Sequence, residues 1–225
     1  MHNLQNIWIG KYQLKRALWI HDGNPRRPHA LLTSGLHSTG FFNSRLVIPD
    51  EVMMREAAAD LVAKFGQSGG RVWDVDGVIG PQTGATLLAE LISEQISAIN
   101  REDCFHASPK KDGEGKDRKM IFDAEDLGIL PGQFVLLCED VLTTGLSVDL
   151  TAAAVAAAEG SILDCVLALV NRSGLQHVNG RRVISLIDHA MPTWAEGQCP
   201  LCDSGSKVLP AKDPANWAAL NAQYD

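Results

Sequence analysis

Residues 134–147 read Phe-Val-Leu-Leu-Cys-Glu-Asp-Val-Leu-Thr-Thr-Gly-Leu-Ser, and this stretch decides the fold. Its opening, Phe134 to Cys138, is an unbroken apolar run, the pattern of a strand covered on both faces of a sheet. Two acids follow, Glu139 and Asp140, and then a turn of small and hydroxylated residues, Thr143, Thr144, Gly145 and Ser147, that opens a helix. At a helix N-terminus the backbone N–H groups, nearby hydroxyls and the positive end of the dipole converge, which suits a phosphate monoester; Gly145 permits its close approach. Acids at the carboxyl end of a parallel strand stand at the ligand edge of the sheet. They can accept the vicinal hydroxyls of a ribose, and their charge can stabilise a cationic ribosyl transition state. Helix caps and surface acids would explain the same residue types singly. Their order, acids and then phosphate turn, favours a ligand site.

Working outward, the same strand–helix alternation recurs. Apolar positions at helical spacing over residues 3–20 predict an N-terminal helix that Gly23-Asn24-Pro25 ends. Short apolar runs over 30–48 predict strands or extended loops. Asp50 is a candidate N-cap for a helix carrying Val52, Met53, Ala57, Leu61, Val62 and Phe65 on one face up to Gly66. Strands are expected over 72–80, 134–138 and 162–170, and helices over 83–99 and 147–159. Such alternation defines an α/β fold with a mostly parallel central sheet flanked by crossover helices. Residues 106–119, His-Ala-Ser-Pro-Lys-Lys-Asp-Gly-Glu-Gly-Lys-Asp-Arg-Lys, carry almost no apolar content and read as a long polar loop, either a lid or an insertion.

Composition narrows the function. Of 225 residues, 45% are hydrophobic and 21% charged, so a folded core is expected; one domain with an appendage fits the length better than two. The net charge of -7 argues against a general nucleic-acid binder but leaves anionic small molecules open to a local cationic cluster. Apolar runs fall short of the ~18 residues that cross a bilayer, and the first residues do not read as a secretion signal, so no membrane partner and a cytoplasmic address are expected. Five cysteines in apolar runs and short motifs do not suggest a disulfide framework. Cys199 and Cys202 have the spacing of half a zinc site and are weak zinc candidates, with His189 and His177 the nearest candidate partners.

The 138–147 motif resembles the phosphoribosyl pyrophosphate signature of type I phosphoribosyltransferases. Other segments are similar to orotate phosphoribosyltransferases in particular. Ser34-Gly-Leu-His-Ser-Thr-Gly-Phe41-Phe42 resembles the hood segment, and Gly80-Pro81-Gln82-Thr83-Gly84 the pyrophosphate loop. Asn171-Arg172 falls where that family has Asp-Arg, and the lysine loop before Gly113-Glu114-Gly115 resembles its flexible catalytic loop. The Cys-Pro-Leu-Cys at 199–202 resembles a C-terminal feature of some bacterial members. Two departures stand out: Thr33 replaces a lysine before Ser-Gly, and Asp112 occupies the expected histidine position.

The resemblance implies one domain over 1–225, with a hood from about 1–48 and 182–225 and a flexible lid loop. It implies transfer of a phosphoribosyl group from phosphoribosyl pyrophosphate to a nitrogenous base, most simply orotate, by a homodimer using Mg²⁺ held mainly through substrate oxygens. Asp140, Glu139, Lys110 and Lys111 are then the catalytic candidates. Thr143, Thr144, Gly145, Ser147, Gly80, Pro81, Gln82, Thr83, Gly84, Ser34, Phe41, Phe42 and Arg172 are the binding candidates, Arg172 for an acidic base. Transfer to another base, a non-catalytic phosphoribosyl pyrophosphate sensor and a zinc-dependent interaction module are the alternatives.

Overall fold

In chain order, helix α1 (His2–Leu14) leads into four short strands, β1 (Leu18–Ile20), β2 (His29–Leu31), β3 (His37–Ser38) and β4 (Gly40–Phe42). Then come α2 (Glu51–Gln67), β5 (Gly77–Ile79), α3 (Thr86–Asn100), β6 (Phe105–Ala107), β7 (Lys110–Asp112), β8 (Lys119–Ile121) and α4 (Ala124–Ile129). The central motif forms β9 (Phe134–Leu142) and α5 (Leu146–Ala157), followed by β10 (Ser161–Asn171), β11 (His177–Val178) and β12 (Arg181–Asp188). The chain closes with β13 (Thr193–Trp194), α6 (Pro200–Asp203), β14 (Val208–Pro210) and α7 (Pro214–Leu220). This computed structural model describes residues 2–224; the side chains of His2 and of the loop cation Lys116 lie outside the description.

Six strands form the central sheet in the order β11-β12-β10-β9-β5-β6, parallel throughout except for the β11–β12 pair. Both faces of β9 are buried. Leu136 and Cys138 point into a cluster with α2 and α3, while Val135 and Leu137 point into a second cluster with Val148, Ala152 and Val155 of α5. That double burial is why the strand sequence does not alternate. Asp50 caps α2 by accepting from the Met53 N–H at 3.0 Å, and Met54, Ala57, Ala58, Leu61 and Phe65 on one helix face are buried.

A second sheet, in the order β13-β3-β2-β14, forms the hood. Its core is Trp19, Ala30, Leu32, Phe41, Ala211 and Leu220, and the Trp19 indole N–H donates to the Leu220 carbonyl at 2.8 Å, tying the two ends of the chain together. The hood is narrower than its expected range. Trp8 and Tyr12 of α1 belong to the main core, and β12 is a strand of the central sheet.

Several expected elements differ, among them the strand expected over 134–138, which runs on to Leu142 as β9. The N-terminal helix stops at Leu14 rather than near residue 20, because Arg16 adopts a left-handed φ of 51° and residues 18–20 turn into a strand against β4. Residues 72–74 make a 3₁₀ turn with Trp73 exposed, so the strand expected over 72–80 shrinks to β5. The helix expected from 83 begins at Thr86. The polar loop contains ordered strands: Phe105–Ala107 pairs with β5, and β7 pairs with β8 in an antiparallel ribbon that turns at Gly113, where φ is 73°.

Leu61 is fully buried between α2 and the sheet. Leu61→Ala is expected to lower stability by about 2–5 kcal/mol, seen as a lower urea midpoint with an unchanged slope. An unchanged midpoint would remove α2 from the load of the core.

Candidate active site

β5 ends at Ile79, opposite Leu137, whereas β9 runs on to Leu142 beside β10. The acids expected just past a strand end therefore lie within β9, on the stretch that projects beyond its shorter neighbour. The chain leaving β5 turns across this gap. Its Gly80, Gln82 and Ala85 amides donate to the carbonyls of Ala107, Pro109 and Pro81, which leaves Thr83 and Gly84 as the amides this turn can offer a ligand. The Gln82–Thr83 peptide is cis. The turn sits so close to β9 that a Cβ on Gly84 would lie 2.8 Å from the Asp140 carboxyl, and one on Gly80 would lie 2.8 Å from Cys138 Sγ. At Gly80 a Cβ would also meet the Ala85 carbonyl at 2.5 Å, so glycine is required there for steric reasons; at Gly84 a side chain would displace the Asp140 carboxyl.

On the other side of the acids, Gly145 adopts φ 84° and opens α5; a Cβ there would meet Val178 at 2.8 Å. Residues 143–148 curl around a small pocket at this helix N-terminus, with the Leu146 N–H donating to Thr144 Oγ1 at 3.4 Å. The pocket opens beside a cavity of about 900 Å³ between the central sheet and the hood. Ser34, Phe41, Phe42, Pro81, Gln82, Thr83 and Gly84 line that cavity, as do Lys111, Glu139, Asp140, Thr143, Thr144, Ser147 and Arg172. Gly80 and Gly145 are not in its lining; Gly145 borders the small pocket instead. Lys110 does not reach it: successive strand residues point to opposite faces, and β7 turns Lys111 rather than Lys110 toward the cavity.

Three further cations line the same space: Arg45, Arg118 and Lys212. Arg118 belongs to the loop whose positive charge was legible in sequence. Arg45 and Lys212 come from opposite ends of the chain and meet where Arg45 donates to the Lys212 carbonyl at 3.4 Å, a pairing that no local pattern encodes. Among the described residues, five cations thus surround two acids in a chain of net charge -7. Desolvation lowers the Lys212 pKa, and the Asp140 charge opposes that shift.

Glu139 is buried and accepts the Asp140 N–H at 3.1 Å. Burial first, and the adjacent Asp140 charge second, push its carboxyl well above the usual glutamate range. Burial also raises the Cys138 thiol, which packs in the main core cluster. Arg172 is buried where β10 leaves the sheet and donates to Ser38 Oγ at 2.7 Å and to the Gly40 carbonyl at 3.2 Å. Desolvation brings its pKa down to about 10, so it stays cationic at neutral pH. Two of its five N–H groups hold the hood, and the guanidinium still bounds the cavity. Cys199 and Cys202 do not look to His177 or His189. They face His29 and His37, outside the cavity lining.

The fold and cavity define an α/β protein with a cation-rich cleft bounded by a pair of acids and two glycine-containing turns. A family model described as the phosphoribosyl transferase domain matches residues 54–198. The orotate phosphoribosyltransferase of Acidithiobacillus ferrooxidans is 30% identical over 189 residues, covering 84% of this chain and 90% of that protein. The orotate phosphoribosyltransferase of Thermus thermophilus is 32% identical over 177 residues, covering 79% and 88%. The crystal structure of orotate phosphoribosyltransferase from Aeropyrum pernix superposes with a TM-score of 0.58 at 20% identity, covering 79% of this chain and 91% of that one, a likeness of fold. The chain belongs to the phosphoribosyl transferase family.

Glu139 gives this site a pH signature. Its carboxyl holds a proton more tightly in the folded chain than in the unfolded one, so stability falls as pH rises from about 4.5 through the raised folded value. Glu139→Gln, which removes that titration, is expected to gain on the parent chain progressively over this window in thermal melts. Parallel pH profiles for the two proteins would mean that Glu139 titrates normally.

Proposed function

We propose that this chain transfers the 5-phosphoribosyl group of phosphoribosyl pyrophosphate to orotate, giving orotidine 5′-monophosphate and pyrophosphate. The observation that carries this reading is the convergence of the Glu139–Asp140 pair, the 143–147 turn and the 81–84 turn on one cation-rich cavity. Relatives matched over most of their length are named for this reaction.

In this reading Thr143, Thr144 and Ser147 hold the 5′-phosphate at the N-terminus of α5. Asp140 and Glu139 accept the ribose hydroxyls, and the Thr83 and Gly84 amides face the pyrophosphate. The C1–O bond to pyrophosphate breaks as a ring nitrogen of the base bonds to C1, and the base gives up its proton. Positive charge develops on the ribosyl centre, where the Asp140 carboxylate lowers its energy. Lys111 and Arg118 offset the charge gathering on the leaving group, and their ribbon shields the centre from water. The Arg172 guanidinium pairs with the acidic base against Phe41 and the hood.

Magnesium suits these residues. The donors on the cavity floor are hard carboxylate oxygens, and the missing Cβ of Gly84 leaves a cradle beside Asp140. Asp140 would hold the ion together with substrate oxygens, and when bound it shares the charge of the pyrophosphate. A homodimer and a cytoplasmic address complete the proposal; a reducing compartment fits five free cysteines, and among the described residues no helix is long and apolar enough to cross a membrane.

Asp140→Asn is expected to fold normally and to lose ~10²-fold or more in kcat/KM, because a charge-assisted contact is weakened in the transition state. Near-normal turnover would remove Asp140 from the mechanism. Arg172→Ala should raise KM for orotate by ~10-fold or more while sparing phosphoribosyl pyrophosphate. If a panel of bases shows a neutral base outcompeting orotate, the choice of base is wrong although the sugar-phosphate site stands.

A further inference from the structure

His29, His37, Cys199 and Cys202 offer two imidazole nitrogens and two sulfurs that all lie within 4.8 Å of one another. Four of the six edges of this polyhedron are 3.0 Å between His29 Nε2 and His37 Nδ1, 3.6 Å from His29 Nε2 to Cys199 Sγ, 3.5 Å from His29 Nε2 to Cys202 Sγ, and 3.2 Å from His37 Nδ1 to Cys202 Sγ. A tetrahedral zinc ion with ordinary bond lengths needs edges of about 3.3 Å between two nitrogens and about 3.6 Å between nitrogen and sulfur. These four edges match to within a few tenths of an ångström, and the other two are no longer than 4.8 Å. His29, His37 and Cys199 are buried and Cys202 is half-buried.

The surrounding hydrogen bonds fix the donor state. Ser206 Oγ donates its proton to the Arg27 carbonyl at 2.6 Å, so at 2.9 Å from His29 Nδ1 it can only accept, and the ring must carry its proton on Nδ1. His29 Nε2 therefore carries a bare lone pair and lies within 3.6 Å of the other three donor atoms, with Ser206 holding the opposite ring nitrogen, as outer partners of metal-bound histidines do. Cys199 is the N-cap of α6 and Cys202 lies in its single turn three residues on, a spacing that brings both sulfurs to one side.

We propose that these four residues bind a structural Zn²⁺. Two thiolates and two imidazoles select zinc over hard oxygen-seeking cations, and four protein ligands leave no open position for catalysis. Binding releases the two thiol protons. The ion fastens the excursion between β13 and β14 to the strands β2 and β3, whose connecting residues Leu32, Thr33, Ser34 and Leu36 wall the cavity. This consequence for the base side of the cavity rests on the proposed function; the metal site does not.

The test is metal content by mass spectrometry of the full chain, purified without a histidine tag and dialysed, alongside Co²⁺ titration of the zinc-stripped chain. One zinc per chain is expected, with the near-ultraviolet thiolate-to-cobalt band and intense visible absorption of tetrahedral cobalt. Cys199→Ser with Cys202→Ser, and separately His37→Ala, should lose the zinc, whereas Cys104→Ala should keep it. Absence of zinc together with absence of the thiolate-to-cobalt band overturns the site, and so does full zinc retention in the double cysteine variant. The cobalt spectrum uses the unaltered sequence, so it decides the matter even where a variant fails to fold. Zinc bound without orotate turnover would sink the proposed function alone; turnover without zinc would sink the metal site alone.

Discussion

The backbone of Gly84 lies against the carboxylate of Asp140 with no space for a side chain between them, and the rest of the site depends on that approach. It arises from unequal strand lengths. β5 stops at Ile79 while β9 continues to Leu142, so the chain leaving β5 must cross the face of the acids. Three of its amides are satisfied by protein carbonyls, which fixes the turn, while Thr83 and Gly84 line the same cavity that Asp140 and Glu139 border. Two glycines and one protruding strand thereby bring an anion-binding turn and a pair of acids to one wall.

The electrostatics follow from this crowding. Placing Glu139 in the interior beside Asp140 favours its neutral form, so the pair carries less than its formal charge. Cations from four parts of the chain then make the cavity locally positive, although the protein as a whole is acidic. Low-dielectric walls focus that local field on an anionic ligand, which is why net charge excluded nucleic acid as an expectation but said little about phosphate esters.

Legibility in the sequence tracked distance along the chain. The 134–147 motif, the capped helix after Asp50 and the glycine turn after β5 are each contiguous, and their residue types carry their geometry. The end of α1 was not legible, because Leu18 and Trp19 continue its periodicity while the break is a backbone conformation at Arg16. The ribbon at 110–121 was read as a loop because its charged strands contribute little to a core; Met120 is its main anchor. Arg45 with Lys212, and His29 with Cys199, are separated by 167 and 170 residues, and only the closing of the hood brings them together.

That closing is weakly driven by apolar burial. The hood core holds six buried residues, far fewer than the main cluster, and a unit of this size buries too little surface to order itself. It is instead fastened at discrete points: the Trp19 indole to the Leu220 carbonyl, Arg172 to Ser38 and Gly40, and the His29, His37, Cys199 and Cys202 cluster. Arg172 joins the central sheet to the hood, whereas the other two join the hood's own halves. Breaking a buried, hydrogen-bonded cation from its partners costs more than the bonds alone, since the charge is left desolvated. The same guanidinium that borders the cavity thus also sets the height of its roof, so a ligand that draws on the free donors of Arg172 meets a wall already held in position and loses less entropy in ordering it.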